Sequence, residues 1–93
     1  MTIPLPLAGM RILSVERHAA GPYGSMALAQ LGAEVIKIEP PQGGDTARAT
    51  GPFFLGQDDS LFFQTFNLNK RSFTLDLKAP EARDILHRLV ATA

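Results

Sequence analysis

The sequence predicts an α/β fold on three observations. Residues 11–15 (RILSV) and 34–38 (EVIKI) are short aliphatic and β-branched runs, a helix-length segment between them is bracketed by Gly-Pro and Gly, and an alternating run further on precedes an amphipathic segment. Both early runs have strand length, and Pro40-Pro41 ends the second. Gly21-Pro22 reads as a helix start, with proline at the first helical position, where its missing N–H loses no intrahelical bond. Gly32 reads as the exit, because glycine adopts the left-handed conformation that closes helices. Tyr23, Ala27, Leu28 and Leu31 share one face of that helix. Strand, helix and strand in this order make a βαβ unit, and its crossover sets the strands parallel.

Residues 40–59 are rich in Gly and Pro and have no period, so a connection of that length reads as a binding loop. Leu61, Phe62, Phe63 and Phe66 have the spacing of a short helical turn over residues 60–66. Asn67, Asn69, Lys70 and Arg71 read as a turn, since Asn side chains bond their own backbone, with a polar ledge beside a site as the alternative. Residues 72–77 (SFTLDL) alternate, which predicts a third strand with Phe73, Leu75 and Leu77 on one face. Pro80 and Glu81 open a last helix with the apolar stripe Ile85, Leu86, Leu89 and Val90. Its cap is poor: Ala79 stands where a side-chain oxygen is typically worth about 1 kcal/mol. No strand follows before Ala93, whereas such βα series ordinarily continue into one, so the expectation is part of a larger domain.

Composition narrows the function classes. With 45% hydrophobic and 19% charged residues the chain is globular, although its length supports only a modest core. The absence of Cys excludes disulfides and thiolate metal sites and fits a cytoplasmic location. Nine basic against nine acidic residues give no electrostatic footprint for nucleic acid. Residues 1–7 hold two prolines and no basic residue, and no apolar run is long enough to span a bilayer, so neither a secretion signal nor a membrane segment is predicted. His18 and His87 lack a partner at metal-ligand spacing, and no metal site is expected.

Residues 7–13 (LAGMRIL), Ala20-Gly21-Pro22, residues 31–39 (LGAEVIKIE), Gly44-Asp45 with Arg48, residues 66–72 (FNLNKRS) and residues 75–78 (LDLK) before Ala79-Pro80-Glu81 form an ordered series. In order and spacing this series resembles the opening of the family III CoA-transferases, the CaiB/BaiF family of formyl-CoA and carnitine CoA-transferases and α-methylacyl-CoA racemases. The resemblance implies a Rossmann-like α/β large domain of which residues 1–93 are the incomplete N-terminal part, in a protein that forms an interlocked homodimer. It implies acyl-CoA and a carboxylic acid as partners, with coenzyme A as a substrate and no permanently bound cofactor. The implied chemistry is covalent: an aspartate attacks the thioester to give a mixed anhydride, then an aspartyl-CoA thioester. In the family that aspartate lies beyond position 93, so no catalytic residue is assigned here and the piece alone is expected to be inactive.

Matching positions imply CoA contact by Ala19, Ala20, Pro40, Leu75, Asp76, Leu77 and Lys78. Two of them depart from the formyl-CoA transferase pattern, which has Gln at the position of Ala19 and Arg at that of Pro40. The first departure weakens the case for oxalate or formate. The second removes a phosphate partner that Lys37, Lys78 or Arg48 would have to replace. Gly21 and Pro22 would aim a helix N-terminus at an anion or merely start the helix, and Arg48 would clamp an anion or stand as a plain surface residue. Three alternatives remain: a racemase, whose His and Asp pair would lie downstream; a noncatalytic fragment; and a dinucleotide-binding oxidoreductase, suggested by Glu39 at a strand end but lacking G-x-G-x-x-G.

Overall fold

In the computed structural model, which describes residues 3–93, the chain runs through β1 (Arg11–Ser14), α1 (Ala20–Gln30), β2 (Glu34–Glu39), a 3₁₀ turn (Thr46–Ala49), β3 (Phe54–Gly56), β4 (Asp59–Ser60), α2 (Leu61–Phe66), β5 (Lys70–Thr74) and α3 (Ala82–Val90). Residues 1 and 2, part of the N-terminal stretch judged above, lie outside the described residues. Strands β1, β2 and β5 form a parallel sheet in that order, with Ile12 opposite Val35 and Ile38 opposite Phe73. The predicted βαβ unit is therefore present, and its second strand is the middle one.

Because side chains alternate along a strand, β2 sends residues to two cores. Val35 packs with Ala29 and Ala33 and is flanked by Leu7 and Ile12. Ile38 packs with Leu75 and Ala82, covered by Ile85, Leu86 and Leu89 of α3. The sheet thus has α1 on one face and α3 on the other, as parallel sheets require.

Several expectations need correction. Helix α1 begins at Ala20, so Pro22 is its third residue, still within the first turn whose N–H groups have no intrahelical partner. Its buried residues are Pro22, Met26 and Ala29, whereas Tyr23, Leu28 and Leu31 are exposed. Small or apolar residues surround this helix on every side, so periodicity alone could not orient it. The exit at Gly32 is as expected. At φ +106°, it donates to Ala29 O at 3.0 Å while Ala33 N–H reaches Leu28 O at 3.2 Å, the paired closure of a left-handed C-terminus.

The third strand is Lys70–Thr74, not residues 72–77. Leu75 N–H still donates to Glu39 O at 2.9 Å, but Asp76 then accepts from Lys78 N–H at 3.0 Å and turns the chain. Alternation persisted past the strand because Leu75 is buried against α3. Residues 40–59 hold a 3₁₀ turn and the β3–β4 hairpin rather than an irregular loop. Helix α3 begins at Ala82 rather than at Pro80, so its N-cap residue is Glu81 and not Ala79; Glu81 makes no side-chain capping bond, and Val90 falls outside the buried stripe.

A Cβ on Gly32 would lie 2.6 Å from Leu5 Cβ at a positive φ, whereas one on the exposed helical Gly24 would meet nothing within 4 Å. Gly32→Ala should therefore lower unfolding stability by at least about 1–2 kcal/mol, and Gly24→Ala should raise it by about 0.5–1 kcal/mol. Urea unfolding of the two variants measures this, and a neutral Gly32→Ala would contradict the closure described.

Candidate functional site

Parallel strands end on a common edge, where open α/β sheets place their ligands. The segments leaving β1, β2 and β5 enclose a cleft of about 470 Å³ there, walled by residues 15–17, 38–40, 42, 44–46 and 75–78. Pro40, Leu75, Asp76, Leu77 and Lys78 come together in that wall. Ala19 and Ala20 do not; they lie at the start of α1, just beyond the wall residue Arg17.

Behind the cleft lies a buried ionic network. Lys37, on the same face of β2 as Val35, is 1% exposed, and its Nζ donates to Asp45 Oδ2 at 2.5 Å and Asn67 Oδ1 at 2.9 Å. The other Asp45 oxygen accepts from the backbone N–H groups of His18 and Ala47, both at 2.9 Å. Lys70 Nζ donates to Asn67 Oδ1 at 2.9 Å, Pro22 O at 3.0 Å and Glu16 Oε1 at 3.3 Å. One lysine–aspartate pair thus ties β2 to the turn after β1, the 3₁₀ turn and the end of α2.

Glu39, next along that face of β2, anchors a second group. The Arg48 guanidinium forks onto its carboxylate with both nitrogens at 2.8 Å, Asp45 N–H donates to it at 2.8 Å, and the Ser72 hydroxyl also donates to it. Arg48 stacks on the Phe63 ring at 3.9 Å. Ser60 caps α2 through Phe63 N–H and donates to Ala47 O at 2.5 Å, locking that helix against the 3₁₀ turn.

Lys37 and Arg48 are thereby withdrawn as phosphate partners, since each is committed to a carboxylate. Asn69, at φ +66°, makes the predicted turn, but Lys70 and Arg71, expected in it, open strand β5, and Asn67 and Lys70 also enter the network. His18 takes φ +72° and stacks on Phe62 at 5.0 Å. Glu16, Arg17 and Asp45 were not singled out from the sequence as site-forming residues, and Lys37 and Glu39 were weighed only as a phosphate partner and a strand-end carboxylate, not as members of a buried network. A lysine and a glutamate alternating with Val35 on one strand face were the available signal, because a middle strand buries both faces.

Burial pushes the Glu39 carboxyl up, but the Arg48 guanidinium, the Ser72 hydroxyl and the Asp45 N–H outweigh it and bring its pKa from 4.5 to about 2. Burial likewise opposes ionisation of Asp45, and the Ala47 N–H, Lys37 and the His18 N–H more than offset it, leaving its pKa lowered. Lys70 is shifted down, chiefly by burial, against the pull of Glu16.

The sequence model of CoA-transferase family III matches residues 7–93. The chain is 43% identical over 93 residues to succinate–glutarate CoA-transferase of Agrobacterium fabrum, covering 95% of this chain and 23% of that protein. It is also 43% identical over 86 residues to human succinyl-CoA:glutarate CoA-transferase, covering 92% and 19% respectively. The crystal structure of a CaiB/BaiF family protein from Brucella suis superposes with a TM-score of 0.88 at 38% identity, over 98% of this chain and 25% of that one. The chain therefore spans about a fifth to a quarter of the length of these relatives.

A carboxylate whose pKa is lower in the folded state stabilises the fold above its unfolded pKa, and that contribution fades as pH falls through the folded value. For Glu39 the window runs from about 4.5 down to about 2. Acid titration of unfolding stability should show a loss on the order of 3 kcal/mol across it, at 1.36 kcal/mol per unit. Arg48→Met should flatten that dependence, and an unchanged profile would contradict the assignment.

Proposed function

The chain belongs to CoA-transferase family III, and from that premise we propose that it supplies part of the CoA-binding wall of an enzyme that moves CoA between an acyl-CoA thioester and a carboxylic acid. The observation that carries the reading is the convergence of Pro40, Leu75, Asp76, Leu77 and Lys78, from two separate strand ends, on one cleft at the sheet's C-terminal edge. Val15, Ile38, Pro40, Leu75 and Leu77 give that cleft apolar walls suited to an adenine ring or a pantetheine arm. Asp76 fixes the backbone N–H of Lys78, which presets the turn the ligand meets.

The carbonyl chemistry belongs to an aspartate that this segment does not supply. Asp45 is unsuited to attack a thioester, because its oxygens are engaged by Lys37, His18 and Ala47 in a buried site. The role of these residues is to bind and orient CoA while a nucleophile elsewhere forms the mixed anhydride and the aspartyl-CoA thioester. Relatives that act on succinate and glutarate support a dicarboxylic acid and its CoA ester as the substrates. The same reading carries an interlocked homodimer and a cytoplasmic location.

Titration of the chain with CoA tests the binding role. CoA should bind, and Leu77→Asp, which puts a carboxylate on an exposed part of the cleft wall, should weaken binding by about tenfold or more, roughly 1.4 kcal/mol. In a polypeptide of full family length carrying this segment, succinyl-CoA and glutarate should yield glutaryl-CoA. Failure of CoA to bind the unaltered chain would overturn the reading.

A further inference from the structure

Building on the CoA-binding reading, we propose that Arg17 is a phosphate-binding residue, acting with Lys78 as a two-sided clamp on the phosphates of the ligand's nucleotide half. The cations in the cleft wall are Arg17 and Lys78. Among the described residues, neither has a carboxylate within ion-pairing distance. The acidic wall residues are otherwise placed. Glu16 is paired with Lys70 at 3.3 Å, Glu39 with Arg48 at 2.8 Å and Asp45 with Lys37 at 2.5 Å, each by a cation reaching in from outside the wall.

Asp76 is the remaining wall carboxylate, and one of its oxygens faces the Lys78 N–H. The wall therefore presents two free cations to an incoming ligand while three of its four carboxylates are internally neutralised. Anion entry is favoured despite an acidic-looking lining, since charges already paired at close range contribute little field at the mouth.

The two cations also come to the cleft wall from opposite sides of the sheet. Arg17 follows β1 and Lys78 follows β5, the outer strands of the sheet, with β2 between them. Two strand spacings separate the outer strands by about 10 Å, a span that a bisphosphorylated nucleotide can bridge with side chains extending inward. Pro40, at the end of β2, brings no charge to the middle. Both bases of the clamp are held before the ligand arrives. The residue after Arg17 is pinned through its N–H to buried Asp45, and Lys78 is pinned through its own N–H to Asp76. The planar guanidinium of Arg17 suits two oxygens of one phosphate, whereas Lys78 acts as a point charge.

The test is titration of the chain with adenosine 3′,5′-bisphosphate, adenosine and CoA, in the unaltered form and as Arg17→Ala, Arg17→Lys and Lys78→Ala. The bisphosphate should bind more tightly than adenosine, and the gap should narrow as salt screens the clamp. Arg17→Ala and Lys78→Ala should each weaken bisphosphate and CoA binding by about tenfold, leave adenosine binding and the urea midpoint unchanged, and Arg17→Lys should recover part of the loss. Unaltered CoA affinity in Arg17→Ala would overturn the clamp while leaving the CoA site standing. An equal loss for adenosine would mark Arg17 as merely structural and overturn it too, and an unaltered chain that binds no CoA would overturn both readings together.

Discussion

A lysine in the middle strand of a covered sheet cannot be buried alone. Lys37 is about as enclosed as any residue of the core, and an ammonium stripped of water carries a desolvation penalty of several kcal/mol unless a counter-charge and hydrogen-bond acceptors replace the solvent. Asp45 and Asn67 supply them, the first from the connection that leaves β2 and the second from the end of a helix 30 residues further along the chain. The connection after β2 must fold back to put Asp45 at Nζ. Once there, the free oxygen of Asp45 takes the N–H of His18 and fixes the turn after β1. The route of the chain around the cleft follows from that one pair.

The pair also decides which charges the cleft can use. Two of the basic residues nearest the strand ends, Lys37 and Arg48, serve the interior, and their carboxylate partners are thereby silenced at the surface. What is left at the opening, among the described residues, is a set of apolar side chains, the two unpaired cations Arg17 and Lys78, and one carboxylate, Asp76, a combination suited to a ligand with an apolar arm and a phosphorylated head. Buried ionic groups of this kind contribute little net stability compared with apolar packing, but they discriminate against alternative arrangements of the same loops.

Much of this was legible in the sequence for reasons that can be named. The strands at β1 and β2 were visible because β-branched runs ended by turn residues have few other uses, and Gly32 because a left-handed helix exit favours glycine. The end of β5 was misjudged because Leu75 keeps the alternating pattern while belonging to the following turn. The buried face of α1 was misjudged because Pro22, Met26 and Ala29 fill it as readily as Tyr and Leu fill the exposed one. In the site, the family-matching positions Pro40, Leu75, Asp76, Leu77 and Lys78 do line one cleft, and Ala19 and Ala20 stand beside it. The ionic network stayed hidden because charged residues are read as solvated by default, and only the fold shows that Lys37, Glu39 and Asp45 share an interior.

The most direct measurement is a double-mutant cycle on Lys37 and Asp45, read by urea unfolding in a stabilising osmolyte so that weakened variants remain folded at the start. Lys37→Met and Asp45→Asn should each cost about 3–5 kcal/mol if tested singly, because each strands a buried partner. The double variant should then lose far less than the combined amount, with a coupling of at least about 1–3 kcal/mol. Strictly additive losses would contradict the claim that this pair organises the fold around the cleft.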